Sequence, residues 1–244
     1  MKVLSLFSGG GLGDYGLELA GMEIVGQVEI DDYCQKILKL RWPDVPKWTD
    51  IKNVRGEEVV SQCGAIDLIS GGFPCQPHSN IGHRKGNQDE RDLWSEMFRV
   101  IKEVKPRFVV GENVSGIIGT ILDKVLSDLE SQDYQTITLV FPAHSIGAPH
   151  LRERLFIMAN TKSNKPNGVE RKAESVNAKR FSRMEFKRNA LASGRNFWTT
   201  ESSMGRVANG IANRVDRLKL LGNGQVVQVV EWIGKQIMEY ERKP

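Results

Sequence analysis

One cysteine, Cys75, stands in the run Gly71-Gly72-Phe73-Pro74-Cys75-Gln76-Pro77-His78-Ser79. Two glycines and two prolines fix an unusual backbone around it, and a thiol held on such a loop is available as a thiolate nucleophile. Cys34 and Cys63 sit in surroundings that read as ordinary packing. A carboxylic acid follows in Glu112-Asn113-Val114, directly after the apolar run Phe108-Val109-Val110-Gly111. A nucleophile and an acid delivered to the same edge of a sheet can attack and protonate one substrate ring. A third candidate is the loop Phe7-Ser8-Gly9-Gly10-Gly11-Leu12-Gly13, whose glycines let the backbone turn tightly and approach a ligand. Its order is not G-x-G-x-x-G, so it matches a phosphate-gripping nicotinamide site poorly. Glu29 lies 20 residues after Gly9, where a carboxylate can accept both hydroxyls of a ribose. Asp50, in Thr49-Asp50-Ile51, is placed either to reach an adenine amino group or to cap the turn that follows. Together these residues favour an adenosine-containing cofactor.

Such residues need a frame, and the apolar periodicity supplies one. Short apolar runs predict strands at Val3–Leu6, Glu23–Val28, Ile66–Ser70, Phe108–Gly111, Tyr134–Phe141 and Arg154–Ala159. Between them, helical patterns fall at Gly13–Ala20, Asp32–Arg41, Leu93–Val104 and Ile121–Glu130. Alternation of strand and helix predicts an α/β fold with a doubly wound parallel sheet and helices on both faces. Ligands of such sheets bind at the carboxyl ends of the strands, where the cysteine, glutamate and glycine segments all emerge. Val226, Val229, Val230, Ile233 and Ile237 mark one more amphipathic helix near the end.

The 244 residues suffice for one substantial α/β domain with a small appendage. Three cysteines without paired spacing argue against a disulfide framework and a zinc site, so no metal is expected. No apolar stretch is long enough for a membrane span, and the opening Met1–Phe7 reaches glycines too soon for a signal peptide, so the expected location is the cytoplasm. Charge divides the chain more sharply than its net +4 suggests. Residues 1–160 carry 17 Lys and Arg against 22 Asp and Glu, whereas residues 161–219 carry 14 against 5. A basic segment in an otherwise acidic protein is either a solvated insert or a surface for a polyanion, and charge alone does not separate the two.

The order and sequence of these segments resemble the DNA cytosine-5 methyltransferases, whose nucleophile loop reads Pro-Cys-Gln and whose acid sits in Glu-Asn-Val. The likeness is to small phage-type or solitary members, and it covers residues 1–160 and 205–235. It implies a Rossmann-like methyltransferase domain at 1–160, a small basic target-recognition region at 161–205, and a segment at 206–244 that returns to the catalytic domain. It further implies S-adenosylmethionine as cofactor, contacted by Phe7, Gly9, Gly11, Glu29, Asp50, Ile51, Pro74, Leu93 and Asn223. Cys75 becomes the nucleophile at carbon 6 of a flipped cytosine, and Glu112 the group at ring nitrogen 3. Arg152 and Arg154, in Pro149-His150-Leu151-Arg152-Glu153-Arg154, match arginines that hold the base oxygen and the acidic partner. Ser79 and Gln76 on the cysteine loop, with Arg183 and Arg195 in the basic region, are the implied DNA contacts. The Gly222-Asn223 turn is expected to open a helix that closes the cofactor pocket. Double-stranded DNA is then the partner, in a bacterial or phage-infected cell, and the resemblance settles the basic segment in its favour.

Departures from the pattern are specific. The recognition region is short, which leaves room for a homodimer or a partner lobe. His150 replaces the usual glutamine before the arginines, and His78 stands where phenylalanine is common. Rival readings are a transfer-RNA methyltransferase, whose branch carries threonine at the Ser79 position, a catalytically silent DNA binder, and a nicotinamide oxidoreductase. The silent binder has no need of Cys75, Glu112, Arg152 and Arg154 together.

Overall fold

In the computed structural model, residues 1–74, 93–146, 152–161 and 214–242 are described. Seven strands form one sheet: β1 (Lys2–Leu6), β2 (Glu23–Val28), β3 (Lys47–Trp48), β4 (Leu68–Gly71), β5 (Phe108–Asn113), β6 (Tyr134–Pro142) and β7 (Glu153–Thr161). Their order across the sheet is β3-β2-β1-β4-β5-β7-β6. The first five positions in that order are parallel, while β7 runs antiparallel to both of its neighbours. The expected all-parallel sheet is therefore mixed. The reason is the connection: parallel neighbours need a crossover of a dozen or more residues, usually a helix, and the short link from Pro142 to Glu153 permits only a reversal.

The helices are α1 (Leu12–Leu19), α2 (Asp32–Arg41), α3 (Gly56–Cys63), α4 (Trp94–Val104), α5 (Leu122–Glu130), α6 (Arg214–Asn223) and α7 (Val227–Arg242). Successive strand residues point to opposite faces, so Val3 and Leu4 enter different cores. Val3, Ile24, Leu68, Phe108 and Val110 pack with Leu17 of α1 and with Val229, Val230, Ile233 and Ile237 of α7. Leu4, Leu6, Ile69 and Val109 pack on the other face with Met97 and Ile101 of α4 and Val125 and Leu129 of α5. Gly16 and Gly234 make the α1–α7 crossing close. A Cβ on Gly16 would meet the Val227 carbonyl oxygen at 2.7 Å, and one on Gly234 would meet Ala20 Cβ at 2.6 Å.

The predicted strands and most helices fall where the periodicity puts them, within two residues or so at each end. Three elements, β3, α3 and α6, have no counterpart in the sequence reading. Gly222 and Asn223 do not open a helix; they form the last turn of α6, and the break before α7 lies at residues 224–226. Among the described residues no helix is long and apolar enough to cross a membrane.

Candidate active site

Strand order turns at β1, because β2 and β3 lie to one side of it and β4 and β5 to the other. At such a switch point the loops after β1 and β4 diverge and leave a crevice at the carboxyl ends of the strands. A cleft of about 400 Å³ lies there, lined by residues that include Phe7, Gly9, Gly13, Gly72, Glu112 and Asn223. A larger hollow of about 880 Å³ lies between β5, β6, β7 and α7, but no candidate residue lines it.

The glycine loop owes its shape to left-handed backbone at Phe7 (φ 54°), Gly9 (φ 54°) and Gly11 (φ 77°). At Gly9 a side chain would be strained although the space is open. Gly11 starts α1 and lies against Trp42, whose ring a Cβ there would meet at 2.4 Å, so Gly11 packs the loop and does not line the cleft. Glu29, at the end of β2, accepts the Gly9 amide at 2.7 Å and the Asp31 amide at 2.8 Å. Its carboxylate thus ties the glycine loop to the start of α2.

Asp50 accepts the Lys52 amide at 3.0 Å and caps a short 3-10 turn, the second of its two sequence readings. Ile51 is buried in the core, and its carbonyl accepts a hydrogen bond from Arg99. Leu93 packs against the same core just before α4, and Pro74 is exposed. None of these four lines the cleft. Asn223 is exposed at the end of α6 and does line it. Cys75, Gln76, His78, Ser79, His150, Arg183 and Arg195, together with residues 162–213 of the basic region, lie outside the described residues. Cys34 and Cys63 are buried, as expected of packing residues. Burial, with Glu29 and Asp31 nearby, pushes the Cys34 thiol up to about 12, and burial raises Cys63 as well.

Glu112 is the chemical centre of what is described. The register of β5 against β7 pairs Glu112 with Phe156, so the start of β7 lies beside the carboxyl end of β5. Only the reversal of β7 puts Arg152 and Arg154 at this end. Arg154 Nε lies 2.9 Å from Glu112 Oε1, and Arg152 Nη2 donates to the Gly224 carbonyl at 2.8 Å. Burial raises the Glu112 carboxyl above its usual range, although Arg154, Arg152 and a hydrogen bond from Gln225 all pull it down. Arg152 is itself lowered, first by burial and then by the like charge of Arg154. Arg152 Nε is buried without a hydrogen-bond partner among the described residues. An unpaired polar atom close to Glu112 is a place for a ligand to bond.

Two further residues stand in the site without having been singled out in the sequence. Asp14, on α1, lines the cleft and is buried, accepting Ser5 Oγ at 2.5 Å and Gln27 Nε2 at 2.7 Å. Burial pushes its carboxyl up to about 6, against both hydrogen bonds. A signal was present, since an acid falls on the face of α1 that also buries Gly16 and Leu17. Gln225 also lines the cleft; it follows the Gly-Asn turn in sequence, but nothing in its type marks it out.

The sequence profile of the C-5 cytosine-specific DNA methylases matches residues 1–198. Type II methyltransferase M.AquIA of Picosynechococcus is 35% identical over 177 residues, covering 65% of this chain and 71% of that protein. M.PspPI of Psychrobacter is 37% identical over 167 residues, and M.HhaI of Haemophilus parahaemolyticus 31% over 163. The chain spans only 39% and 48% of the length of these two. Among solved structures, a DNA modification methyltransferase encoded within an E. coli prophage superposes with a TM-score of 0.57 at 28% identity, covering 66% of this chain and 47% of that one. The Dnmt2 methyltransferase of S. pombe reaches 0.68 at 19% identity over the whole of both chains, a likeness of fold.

Proposed function

Because the chain belongs to the family of C-5 cytosine-specific DNA methylases, we propose that it transfers a methyl group from S-adenosylmethionine to carbon 5 of cytosine in a specific short DNA sequence. The observation that carries this reading is the buried Glu112 carboxylate, held by Arg154 on the wall of the glycine-loop cleft. The cleft suits the cofactor: it has a glycine-lined turn at the switch point and a buried carboxylate, Asp14, in its wall for a cationic ligand. Phe7, Gly9 and Asn223 would touch that ligand, with Gly11 and Glu29 shaping the loop; each Glu29 oxygen accepts one amide and keeps a lone pair for a ribose hydroxyl. Asp50 is proposed near the adenine, and Ile51, Leu93 and Pro74 as further cofactor contacts beyond the lining of the described cleft. When bound, S-adenosylmethionine supplies an electrophilic methyl group on a sulfonium.

The chain's own residues activate the base. The Cys75 thiolate adds to carbon 6 of a cytosine flipped out of the duplex, forming a carbon–sulfur bond and pushing the ring electrons toward carbon 5 and nitrogen 3. Glu112 donates its proton at nitrogen 3 and so takes up the developing charge. A carboxyl raised by burial keeps that proton to higher pH than a solvated one, which is the state a donor needs. Arg154 orients Glu112, and Arg152 holds the base oxygen. Once carbon 5 carries the methyl group, its proton passes to a solvent base, the carbon–sulfur bond breaks to release the Cys75 thiolate, and the nitrogen-3 proton returns to Glu112. Ser79, Gln76, Arg183 and Arg195 contact the DNA, the last two from the basic region at 161–205, which acts as the target-recognition module.

The test is expression in a host without cytosine methylation, followed by bisulfite sequencing of its genomic DNA, with Cys75→Ala alongside. Cytosines protected in one recurrent short context, and unprotected with the variant, support reaction, nucleophile and target together. An absence of protection by a soluble protein that binds S-adenosylmethionine turns the reading toward RNA or a missing partner lobe.

A further inference from the structure

Gln225 sits in the break between α6 and α7 and has no role in the reaction as set out above. Its side chain spans the cleft wall. At one end the amide oxygen lies over Gly13, in the first turn of α1, where an added Cβ would be 2.1 Å from Gln225 Oε1. At the other end an added Cβ on Gly72 would lie 3.5 Å from Gln225 Nε2 and 2.9 Å from Glu112 Oε2. There the Gln225 amide nitrogen lies beside the Glu112 carboxylate and favours its ionised form. Gly13 and Gly72 therefore leave the space that the amide and the carboxylate fill. The same break also holds one of the arginines, because Arg152 Nη2 donates to the carbonyl of Gly224. Among the described residues, the charged groups that face Glu112 are Arg154, from β7, and Arg152, just before it.

We propose that Gln225 is a positioning residue that couples the glycine-loop cleft to Glu112, its amide nitrogen holding the carboxylate and its amide oxygen resting on the cleft wall at Gly13. A molecule that fills the cleft must move this amide, and the change reaches the carboxylate beside it. The functional weight of the coupling rests on the proposed role of Glu112 as the acid; the coupling itself is a property of the folded chain. An amide N–H on a carboxylate favours its ionised form, so removing the donor leaves burial less opposed.

The experiment is a carbon-detected NMR titration of the Glu112 carboxyl, assigned by its disappearance in Glu112→Gln, on the whole chain with and without S-adenosylhomocysteine. Gln225→Met keeps the length of the side chain and loses the donor, and its Glu112 midpoint is expected at higher pH than in the wild type. Gly13→Ala displaces the amide without altering Gln225, and it is expected to move the midpoint the same way. Bound S-adenosylhomocysteine is expected to shift the midpoint in the wild type and to leave that of Gln225→Met in place. Coincident midpoints in Gln225→Met and wild type overturn the hold on Glu112. A wild-type midpoint that S-adenosylhomocysteine leaves alone, or moves equally in both proteins, overturns the coupling. In turnover, the pH limb set by Glu112 should move upward in Gln225→Met; a uniform fall in rate with the limb unmoved is what mere loosening of the fold produces, and it counts against the proposal. The titration needs no turnover, so a wild type that transfers no methyl group counts against the proposed reaction while the midpoints still decide this inference.

Discussion

Asn113 Nδ2 donates a 2.9 Å hydrogen bond to the carbonyl oxygen of Phe73, 40 residues earlier in the chain, with both residues buried. Asn113 follows Glu112 at the end of β5, and Phe73 stands two residues before Cys75. This bond therefore fixes the start of the cysteine loop to the strand that carries the acid. The other end of the amide is also used, since Asn113 Oδ1 accepts the Val114 amide at 2.8 Å.

Asn113→Ala leaves the Phe73 carbonyl unpaired in a dry site, at a cost of about 1–3 kcal/mol in stability. Turnover should suffer more than cofactor affinity, because a misplacement of about 1 Å between reacting groups can cost on the order of 10²-fold in rate. Single-turnover methyl transfer against calorimetry with S-adenosylhomocysteine separates the two. Equal losses in both would mean that the bond supports folding alone.

Arg154→Met removes the cation nearest a carboxylate that burial already holds above its usual range. With that partner gone the folded-state value rises further, so the variant's stability is best preserved at low pH, where Glu112 is protonated, and is lost as pH rises through the raised value. The deficit relative to wild type is expected to be small near pH 4 and to grow toward about 3 kcal/mol at pH 8, the order for breaking a buried pair. Urea unfolding across that range measures it. A deficit independent of pH would mean that the arginine stem's packing, and not its charge, matters at this site.

The strands that position the site were legible because a fully buried run such as Phe108–Gly111, and a mostly buried one such as Glu23–Val28, leave no other reading in an α/β alternation. Strand direction was less accessible, since an apolar run reads the same in either sense. The cue lay in the shortness of the β6–β7 connection, residues 143–152, which is too short for a crossover, and on that reversal depends the meeting of Arg154 with Glu112. β3 is too short, at two residues, to show a period. α3 buries only Gly56, Val59 and Cys63, too thin a stripe to stand out. Glu29 was visible through its spacing from Gly9, and the two do meet. Gln225 was not, because a neutral amide acquires its meaning only when Gly13 and Gly72 are seen to make room for it.

The basic region offers a test that needs no coordinates. If residues 161–205 meet DNA phosphates, Arg183→Ala and Arg195→Ala should each weaken binding across all sequences and reduce the slope of log affinity against log salt by about one. Titrations of a fluorescent duplex at several salt concentrations read this directly. An unchanged slope would identify the segment as a solvated face and move target recognition elsewhere in the chain.

Asp14 joins stability to ligand binding. Its carboxyl accepts Ser5 Oγ and Gln27 Nε2 and is still pushed up to about 6, because burial outweighs both bonds and the nearby Glu18 and Glu29 add to it. A folded-state value raised above the unfolded one contributes stability that is fully present below about pH 4 and lost as pH rises through 6. About two units correspond to roughly 3 kcal/mol by pH 8. Asp14→Asn escapes this loss: once the Gln27 amide rotates, the new amide donates to Gln27 Oε1, and Gln27 Nε2 takes the position that Oε1 now holds without a partner. The variant should match the wild type near pH 4 and exceed it by about 2–3 kcal/mol at pH 8 in urea unfolding. It should also lose the ionised group in the cleft wall, so the affinity of the wild type for S-adenosylmethionine should climb through pH 6 while that of the variant does not. A stability difference constant with pH would place the titrating group elsewhere, and an affinity profile shared by both proteins would remove Asp14 from the binding of the cation.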